Sequence, residues 1–225
     1  PVVKLREALD AGRFGKLTMG TVRVRWARHQ AYYDQDSWRG TWAMDGGVLT
    51  NQASHHVDML EWMMGDVESV FAKMTTALAN VETEDTAIVT LKFKNGALGI
   101  IEATTATRPT NLEGSISILG KHGTVVVGGV AVNEMQTWVF EDEQEGDSNV
   151  LEEFSVNPPN VYGFGHQAYY EHVVDCIVNG SANLVDGLQG RKSIELISAI
   201  YESAETGKEV FLKFQPKHCR LGQKS

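Results

Sequence analysis

The sequence predicts an α+β domain with a mostly antiparallel, open sheet and helices packed on one face. Three observations lead to this prediction: a helix, an alternating strand and a second helix come first, strand-like segments then follow one another, and two helices come near the end. Strands joined in succession by short turns pair antiparallel, and grouped helices cover one face of such a sheet. A chain of 225 residues is long enough to bury one core of this kind.

Four segments are predicted in the first third of the chain. Residues 1–12 form an amphipathic helix with proline in its first turn, a position that suits proline. Residues 18–29 alternate between apolar and polar side chains, which is typical of a half-buried strand. Residues 30–44 form a loop rich in aromatic and charged side chains. A second helix runs over about 51–64 and stops at the glycine that follows.

The rest of the chain is predicted to contain seven strands and two helices. Periodic segments rich in β-branched residues mark the strands, at 67–77, 86–94, 97–106, 115–119, 124–127, 135–140 and 209–214. The Asn95-Gly96 pair is a hairpin signal, because these residues accept positive φ. The other predicted segments are an acidic loop at 141–149, a break at 157–160, helices at about 167–179 and 190–205, and a polar tail at 215–225.

Composition and charge exclude several classes of protein. The net charge is −9 at pH 7 and the lysines and arginines are scattered, so no nucleic-acid partner is expected. No apolar run approaches the roughly 18 residues of a membrane span, and the opening residues lack the pattern of a signal segment. Cys176 and Cys219 lack metal-type spacing, which predicts reduced thiols in a cytoplasmic protein.

The most informative segment is the run from Gly46 to Asp58. On a helix, Asn51, His55 and Asp58 stand four and three positions apart and therefore lie on one side. The apolar residues at 53, 57, 60 and 64 fall on the opposite side. A helix with a packed back and a titratable front is what the wall of a cleft needs.

These polar side chains suit an active site, although a structural role is the alternative. An imidazole such as His55 exchanges a proton near neutral pH, and Asp58, one turn away, can orient it. Asn51 can both donate and accept hydrogen bonds with a substrate hydroxyl. The alternative is a capping network at the start of the helix, which favours the same residue types. A metal site is disfavoured, because the adjacent His55 and His56 point about 100° apart.

An aromatic and cationic cluster precedes this helix and comprises Tyr32, Tyr33, Trp38, Arg39 and Trp42. Aromatic rings stack on sugars or bases, and arginine pairs with carboxylate or phosphate. The alternative is a loop that packs its own aromatic side chains over the sheet. We assign Trp42 to packing, and Tyr33, Trp38 and Arg39 to the cleft.

The segment 163–168 matches the dinucleotide pattern G-x-G-x-x-A, but its surroundings argue against that function. The pattern requires a buried strand before it and a βαβ unit around it. Here the Asn-Pro-Pro-Asn break at 157–160 precedes it and helices follow. His166 therefore marks the start of a helix, where it either lines the cleft or caps the helix. Neither a cofactor-binding residue nor a metal ligand is predicted in this chain.

The run from Gly46 to Asp58 resembles the segment G-G-G-x-L-x-D-x-G-x-H-x-x-D of the glucose–fructose oxidoreductase, inositol dehydrogenase and rhizopine-catabolism (Gfo/Idh/MocA) superfamily. Residues 1–17 are similar to the family's helix after its cofactor domain, and residues 186–207 resemble its closing helix. His55 matches the motif histidine and Asp58 its last aspartate. Asn51 and Ala53 depart from the aspartate and the glycine of the motif.

The resemblance implies a domain of the dihydrodipicolinate-reductase-like C-terminal type over residues 1–214. It also implies that NAD or NADP binds mainly to an N-terminal Rossmann domain that this sequence does not include, so that the chain alone is expected to be inactive. Asparagine at position 51 argues against a carboxylate-assisted relay, and leaves His55 and a lysine of that other domain as the acid/base pair. The family's use of its sheet for assembly implies a homodimer or homotetramer.

The stretch from Tyr32 to Trp42, with residues 51–55, resembles the members that oxidise the 3-hydroxyl of UDP-N-acetylglucosaminuronate in surface-polysaccharide synthesis. The implied function is that of the substrate domain of an NAD(P)-dependent dehydrogenase for a sugar or nucleotide sugar. His55 and Asn51 are the expected catalytic residues, and the expected substrate contacts are Gln52, Asp58, Tyr33, Trp38, Arg39 and His166. The alternative is a binding or assembly module without chemistry.

Overall fold

The helices and strands follow the predicted order along the chain. A computed structural model describes residues 1–155 and 165–213. The helices are α1 (Val2–Asp10), α2 (Gln30–Tyr33), α3 (Ser54–Met64), α4 (Val150–Glu153), α5 (Gly165–Asn179) and α6 (Gly187–Thr206). The strands are β1 (Leu17–Arg25), β2 (Val67–Thr75), β3 (Thr86–Phe93), β4 (Leu98–Thr104), β5 (Glu113–Gly120), β6 (Gly123–Gly128), β7 (Glu134–Phe140) and β8 (Val210–Phe211).

The eight described strands form a single sheet in the order β7-β6-β5-β1-β4-β3-β2-β8. Neighbouring strands pair antiparallel, except that β1 runs parallel to β4, from Met19 beside Leu98 to Arg25 beside Thr104. The long connection through α3, β2 and β3 allows this parallel pair, since parallel strands require the chain to cross back. The predicted open, mostly antiparallel sheet is confirmed.

One face of the sheet is buried beneath α3 and α6. Along β3, buried and exposed residues alternate, so that Val89 and Leu91 point into the core. Helix α6 packs on β2 and helix α3 on β1, and the two helices also contact each other. Ile200 and Tyr201 of α6 are completely buried in this layer. The predicted placement of helices on one face is therefore confirmed.

The other face of the sheet is open. By strand register this face presents four exposed apolar side chains, Phe71, Ile88, Leu98 and Val139. Between them, Arg25 pairs with Glu102 at 2.6 Å and with Glu113 at 3.3 Å. The open face therefore mixes exposed apolar groups with paired charges.

Several predicted boundaries are wrong. The helix that contains His55 begins at Ser54 rather than at Asn51, because Ala53 N bonds to Val48 O, five residues back, so the preceding residues form turns. The predicted loop at 30–44 contains the one-turn helix α2. The predicted acidic loop ends in a 3-10 turn at Asp147–Asn149 that leads directly into α4.

Helix α5 covers little of the described domain. None of its residues is buried, and Tyr169, Ile177 and Val178 are exposed although they are large and apolar. The prediction that the last two helices close the domain therefore holds for α6 alone. The predicted break at 157–160, Gly163 and the polar tail at 215–225 lie outside the described residues.

Candidate active site

The turn between Gly46 and α3 positions the predicted catalytic residues. The N–H groups of Val48 and Leu49 donate to the backbone carbonyl and the carboxyl group of Glu84, each over 3.0 Å. Thr83 donates its hydroxyl to the carbonyl of Gly46 over 3.1 Å. The segment that leads into β3 therefore holds this turn through backbone and side-chain hydrogen bonds.

Glu84 is an acidic residue buried beneath this turn, with 3% of its surface exposed. The Tyr201 hydroxyl donates to Glu84 Oε1 over 2.8 Å and accepts from Gly47 N over 3.2 Å. Burial raises the pKa of the Glu84 carboxyl to about 7, while hydrogen bonds from Leu49 N–H and the Tyr201 hydroxyl act in the opposite direction. Below pH 7 the neutral carboxyl therefore predominates in the folded protein.

Replacing Glu84 with glutamine is expected to change how stability depends on pH. Between pH 4.5, the ordinary pKa of the group, and a pKa of about 7, the folded carboxyl keeps its proton while the unfolded one loses it. The contribution of Glu84 to the free energy of unfolding therefore falls by roughly 3 kcal/mol as pH rises through this window, and Glu84→Gln lacks that contribution. Urea unfolding of both proteins from pH 4 to 8 measures the difference, and a constant difference would contradict the prediction.

Asn51 is oriented by an aspartate that the sequence analysis missed. The half-buried Asn51 donates through Nδ2 to Asp45 Oδ1 over 2.5 Å. The other carboxylate oxygen of Asp45 accepts from Gly40 N over 2.8 Å. The backbone is fixed as well, because Asn51 N donates to Gly47 O over 3.0 Å. The available sequence signal was a carboxylate directly before the glycine pair, six residues from Asn51.

His55 is exposed in the first turn of α3, while Val57 and Leu60 on the other side of the helix are buried. The predicted division of this helix into a buried and an exposed side is confirmed. Asp58 is exposed too, and its carboxylate accepts a hydrogen bond from the Ser193 hydroxyl of α6. The structure therefore links Asp58 to α6 and leaves the His55 imidazole accessible.

A cavity of about 500 Å³ between α3 and α6 has Asp58 on its wall. Trp62, half-exposed, and Glu61 border the same cavity. Burial is the main cause that raises the pKa of Glu61 to about 7, and the Lys192 charge opposes it. The exposed, polar side of α3 therefore borders this cavity about one helical turn beyond His55.

His56 is a buried histidine beside the exposed His55. Its ring packs edge-on against Trp26 with ring centres 5.6 Å apart. Neither ring nitrogen has a hydrogen-bond partner among the described residues. Burial, with a smaller effect of the His55 charge, lowers the pKa of His56 to about 4, so the ring is neutral at physiological pH. His55 therefore faces solvent and His56 faces the core, in agreement with the prediction that the two side chains point in different directions.

A row of alternating aromatic and cationic side chains lies near the turn; we call it the Tyr32 row, and it comprises Trp26, Arg28, Tyr32, Arg39 and Trp38. Arg28 Cζ lies 5.4 Å from the Trp26 ring centre and 5.3 Å from the Tyr32 ring centre. Arg39 Cζ lies 4.3 Å from the Tyr32 ring centre and 4.6 Å from that of Trp38. Two guanidinium groups therefore gather around one tyrosine in a chain of net charge −9.

The predicted substrate contacts Tyr33 and Gln52 are both buried. The Tyr33 hydroxyl is 2.9 Å from Thr105 Oγ1, and burial raises the pKa of Tyr33. Gln52 donates through Nε2 to the Tyr32 hydroxyl over 3.3 Å. A cavity of about 350 Å³ brings Tyr33 and Arg39 onto one wall. The structure therefore places Gln52 behind the Tyr32 row, where it supports Tyr32.

The other singled-out residues occupy separate positions. Trp42 is buried with its ring centre 5.4 Å from that of Tyr201, in agreement with its predicted packing role. His166 is exposed in the first turn of α5, and its part in the site stays a prediction.

Within residues 1–155 and 165–213, no cluster of three histidines, cysteines or acidic residues could hold a metal ion. No helix in that part of the chain has the length and apolar character of a membrane span.

Comparison with known proteins relates this chain and its fold to a set of dehydrogenases. A family model described as the oxidoreductase family, C-terminal alpha/beta domain (Gfo/Idh/MocA), matches residues 6–212. Myo-inositol 2-dehydrogenase of Thermotoga maritima is 30% identical over 149 residues, which cover 64% of this chain and 41% of that protein.

Two solved structures are similar over most of the chain. The WlbA dehydrogenase from Chromobacterium violaceum, in complex with NADH and UDP-GlcNAcA, has a TM-score of 0.87 and 46% identity over 95% of this chain. The WlbA dehydrogenase from Bordetella pertussis, in complex with the same two molecules, has a TM-score of 0.85 and 42% identity over 95% of this chain. The chain spans 59% and 60% of the lengths of these two solved chains.

Proposed function

We propose that this chain, a member of the Gfo/Idh/MocA oxidoreductase family, is the substrate domain of an NAD(P)-dependent dehydrogenase for a nucleotide sugar. The match to the family's C-terminal alpha/beta domain is the premise of this proposal. The observation that carries the proposal is the accessible His55 at the start of a helix whose other side is buried. An imidazole in this position can take the proton of a substrate hydroxyl while the carbon loses hydride to the cofactor. Asn51, held in the preceding turn, would hydrogen-bond to the same hydroxyl.

The described residues do not themselves form a cradle for the dinucleotide. Such a cradle needs a glycine-rich turn between a parallel strand and a helix, and the described parallel pair, β1 with β4, has no such turn after β1. We therefore assign NAD(P) to a separate N-terminal Rossmann domain of the whole protein, in line with the larger size of its relatives.

The Tyr32 row supports a substrate that is anionic and contains planar or sugar rings. Arg39 donates through Nε to Asp36 over 3.0 Å, and neither of its terminal nitrogens donates to a described residue. Guanidinium groups pair with carboxylate or phosphate, and aromatic rings stack on sugars and bases. UDP-N-acetylglucosaminuronate, which both WlbA dehydrogenases bind in their solved complexes, combines these features and is the substrate that we propose.

The test is a turnover assay of the full-length protein that contains this chain. With NAD and UDP-N-acetylglucosaminuronate, we expect NADH to form and the sugar to become a 3-keto product, detected by absorbance and mass spectrometry. UDP-N-acetylglucosamine, which lacks the carboxylate, is the matched control and is expected to react poorly. Equal rates with the two sugars would contradict recognition of the uronate, and no NADH with any nucleotide sugar would overturn the proposed function.

Replacing Arg39 with lysine is expected to raise the KM for the nucleotide sugar by about tenfold, with a smaller effect on kcat. Lysine keeps the charge but cannot stack between Tyr32 and Trp38 or present two parallel N–H groups. Arg23→Lys, on the open face of the sheet, is the matched control. A KM that is equally unchanged in the two variants would remove Arg39 from the substrate site.

We also propose that the open face of the sheet joins two copies of the chain. The exposed Phe71, Ile88 and Leu98 lie on this face, and apolar groups of this size favour contact with another protein surface. Light scattering of the wild type is expected to give the molar mass of at least a dimer. The Ile88→Lys variant is expected to give a lower molar mass, because a charge on this face opposes the contact between two copies. A wild-type monomer at micromolar concentration would overturn this second role.

A further inference from the structure

Asp45 and Asn51 form a pair whose hydrogen bonds determine how the amide is turned. A carboxylate only accepts hydrogen bonds, so Asn51 must direct its Nδ2 toward Asp45, 2.5 Å away. The amide oxygen, Oδ1, then faces away from Asp45, and no described residue donates a hydrogen bond to it. Asn51 is half-buried, so part of the residue is accessible from outside the turn.

The pair also accounts for the departure of this chain from the family motif. In the segment G-G-G-x-L-x-D, position 51 corresponds to the aspartate and position 45 to the first glycine. This chain has Asn51 and Asp45 at these positions, so the carboxylate has moved from one end of the turn to the other. The two positions are in direct contact across the turn. The negative charge is therefore retained in space although it is lost at position 51.

We propose that Asp45 is a positioning residue, which turns the Asn51 amide so that its carbonyl oxygen accepts a hydrogen bond from the substrate hydroxyl. This inference rests on the proposed dehydrogenase function. A neutral amide oxygen cannot remove the proton, and it therefore aligns the hydroxyl while another group, His55 in our proposal, takes the proton. The charge of Asp45 stays one hydrogen bond away from the substrate, where it strengthens the orientation of the amide.

Asp45 is well placed for this task because both of its carboxylate oxygens are engaged. Oδ2 accepts from Gly40 N over 2.8 Å, and Oδ1 accepts from Asn51. Thr50 donates its hydroxyl to the backbone carbonyl of Asp45 over 2.9 Å, which ties the two ends of the turn together. The carboxylate can therefore not rotate without breaking a hydrogen bond.

These contacts predict a reciprocal rescue in the full-length enzyme. In Asp45→Asn, the side chain at position 45 has a single acceptor oxygen and must give up its bond to Gly40 or to Asn51. In Asn51→Asp, two carboxylates that only accept would face each other. In the double variant, the amide introduced at position 45 accepts from Gly40 and donates to the carboxylate introduced at position 51. Every bond is then restored, and an acceptor oxygen, now of a carboxylate, still faces the substrate. We expect each single variant to lower kcat/KM about 10- to 100-fold, and the double variant to recover to within about threefold of wild type.

The assay uses NAD and UDP-N-acetylglucosaminuronate, with Asp10→Asn on α1 as the control and melting temperatures recorded for every variant. If a single variant fails to fold, the kcat/KM of the folded double variant decides the question: recovery to within about threefold of wild type supports the proposal, and a larger loss contradicts it. If kcat/KM of the double variant is reduced by the product of the two single-variant reductions, the proposal is overturned. Wild-type enzyme without turnover would instead overturn the proposed function, and the role of Asp45 with it, so the two failures are distinguishable.

Discussion

Replacing His55 with alanine in the full-length enzyme is expected to lower kcat by about 10²- to 10⁴-fold, the usual contribution of general acid–base catalysis. The imidazole is exposed in the first turn of α3, so its removal creates no cavity in the core. The melting temperature and the affinity for the nucleotide sugar are therefore expected to change little. Stopped-flow measurement of NADH formation with saturating substrate gives kcat separately from binding.

The matched control for this variant is His122→Ala. His122 is half-buried, and it pairs with Glu141 at 2.6 Å beside the β5–β6 turn, outside the proposed site. We expect His122→Ala to keep wild-type turnover. Full activity of the His55 variant would remove His55 from the chemistry. The remaining candidate for the base would then be the lysine that the family resemblance implies in a proposed cofactor domain.

Replacing Gly47 with alanine is expected to destabilise the domain by about 3 kcal/mol, at the upper end of what overpacking usually costs. A Cβ atom at this position would lie 2.2 Å from both the backbone oxygen and Oε2 of Glu84. Neither atom can move freely, because Glu84 is buried and bound to Val48, Leu49 and Tyr201. For a domain of this size the melting temperature is expected to fall by roughly 6–12 °C.

Gly190→Ala is the matched control for this substitution. Gly190 lies in α6 with nothing within 4 Å of the position that a Cβ would take. Alanine is favoured over glycine in a helix, so this variant is expected to gain roughly 0.5–1 kcal/mol of stability. Thermal and urea unfolding measure both variants, and a Gly47→Ala protein as stable as wild type would show that the turn is not packed against Glu84.

Local patterns predicted most of the secondary structure and one side of the site. The spacing of Val57 and Leu60 identified the buried side of α3, and hence the exposure of His55. Alternation identified strands such as β3, and the Asn95-Gly96 pair marked the hairpin before β4. These predictions succeeded because a helix or a strand repeats its environment at a constant interval.

Predictions about individual contacts succeeded less well. Tyr33 was expected in the cleft; it borders a cavity with Arg39, but its hydroxyl bonds to Thr105, whereas its neighbour Tyr32 lies between two arginines. The helix was expected to begin at about Asn51, but it begins at Ser54, because Ala53 N bonds to Val48 O, five residues back, instead of in the helical pattern. A helix of one turn, such as α2, is too short to show a periodic pattern, so the environments of its adjacent residues carry no local signal.

The sequence by itself determined the order of the elements, the sheet's antiparallel character, the buried side of α3 and, through the motif around His55, the family. Tertiary structure alone decided what holds the site. Glu84 and Tyr201 meet the turn from 35 and 154 residues away along the chain, and Asp45 meets Asn51 across a bend. Buried polar groups must find partners wherever the fold brings them. For that reason the run from Gly46 to Asp58 identifies the site, while its geometry depends on residues outside any motif.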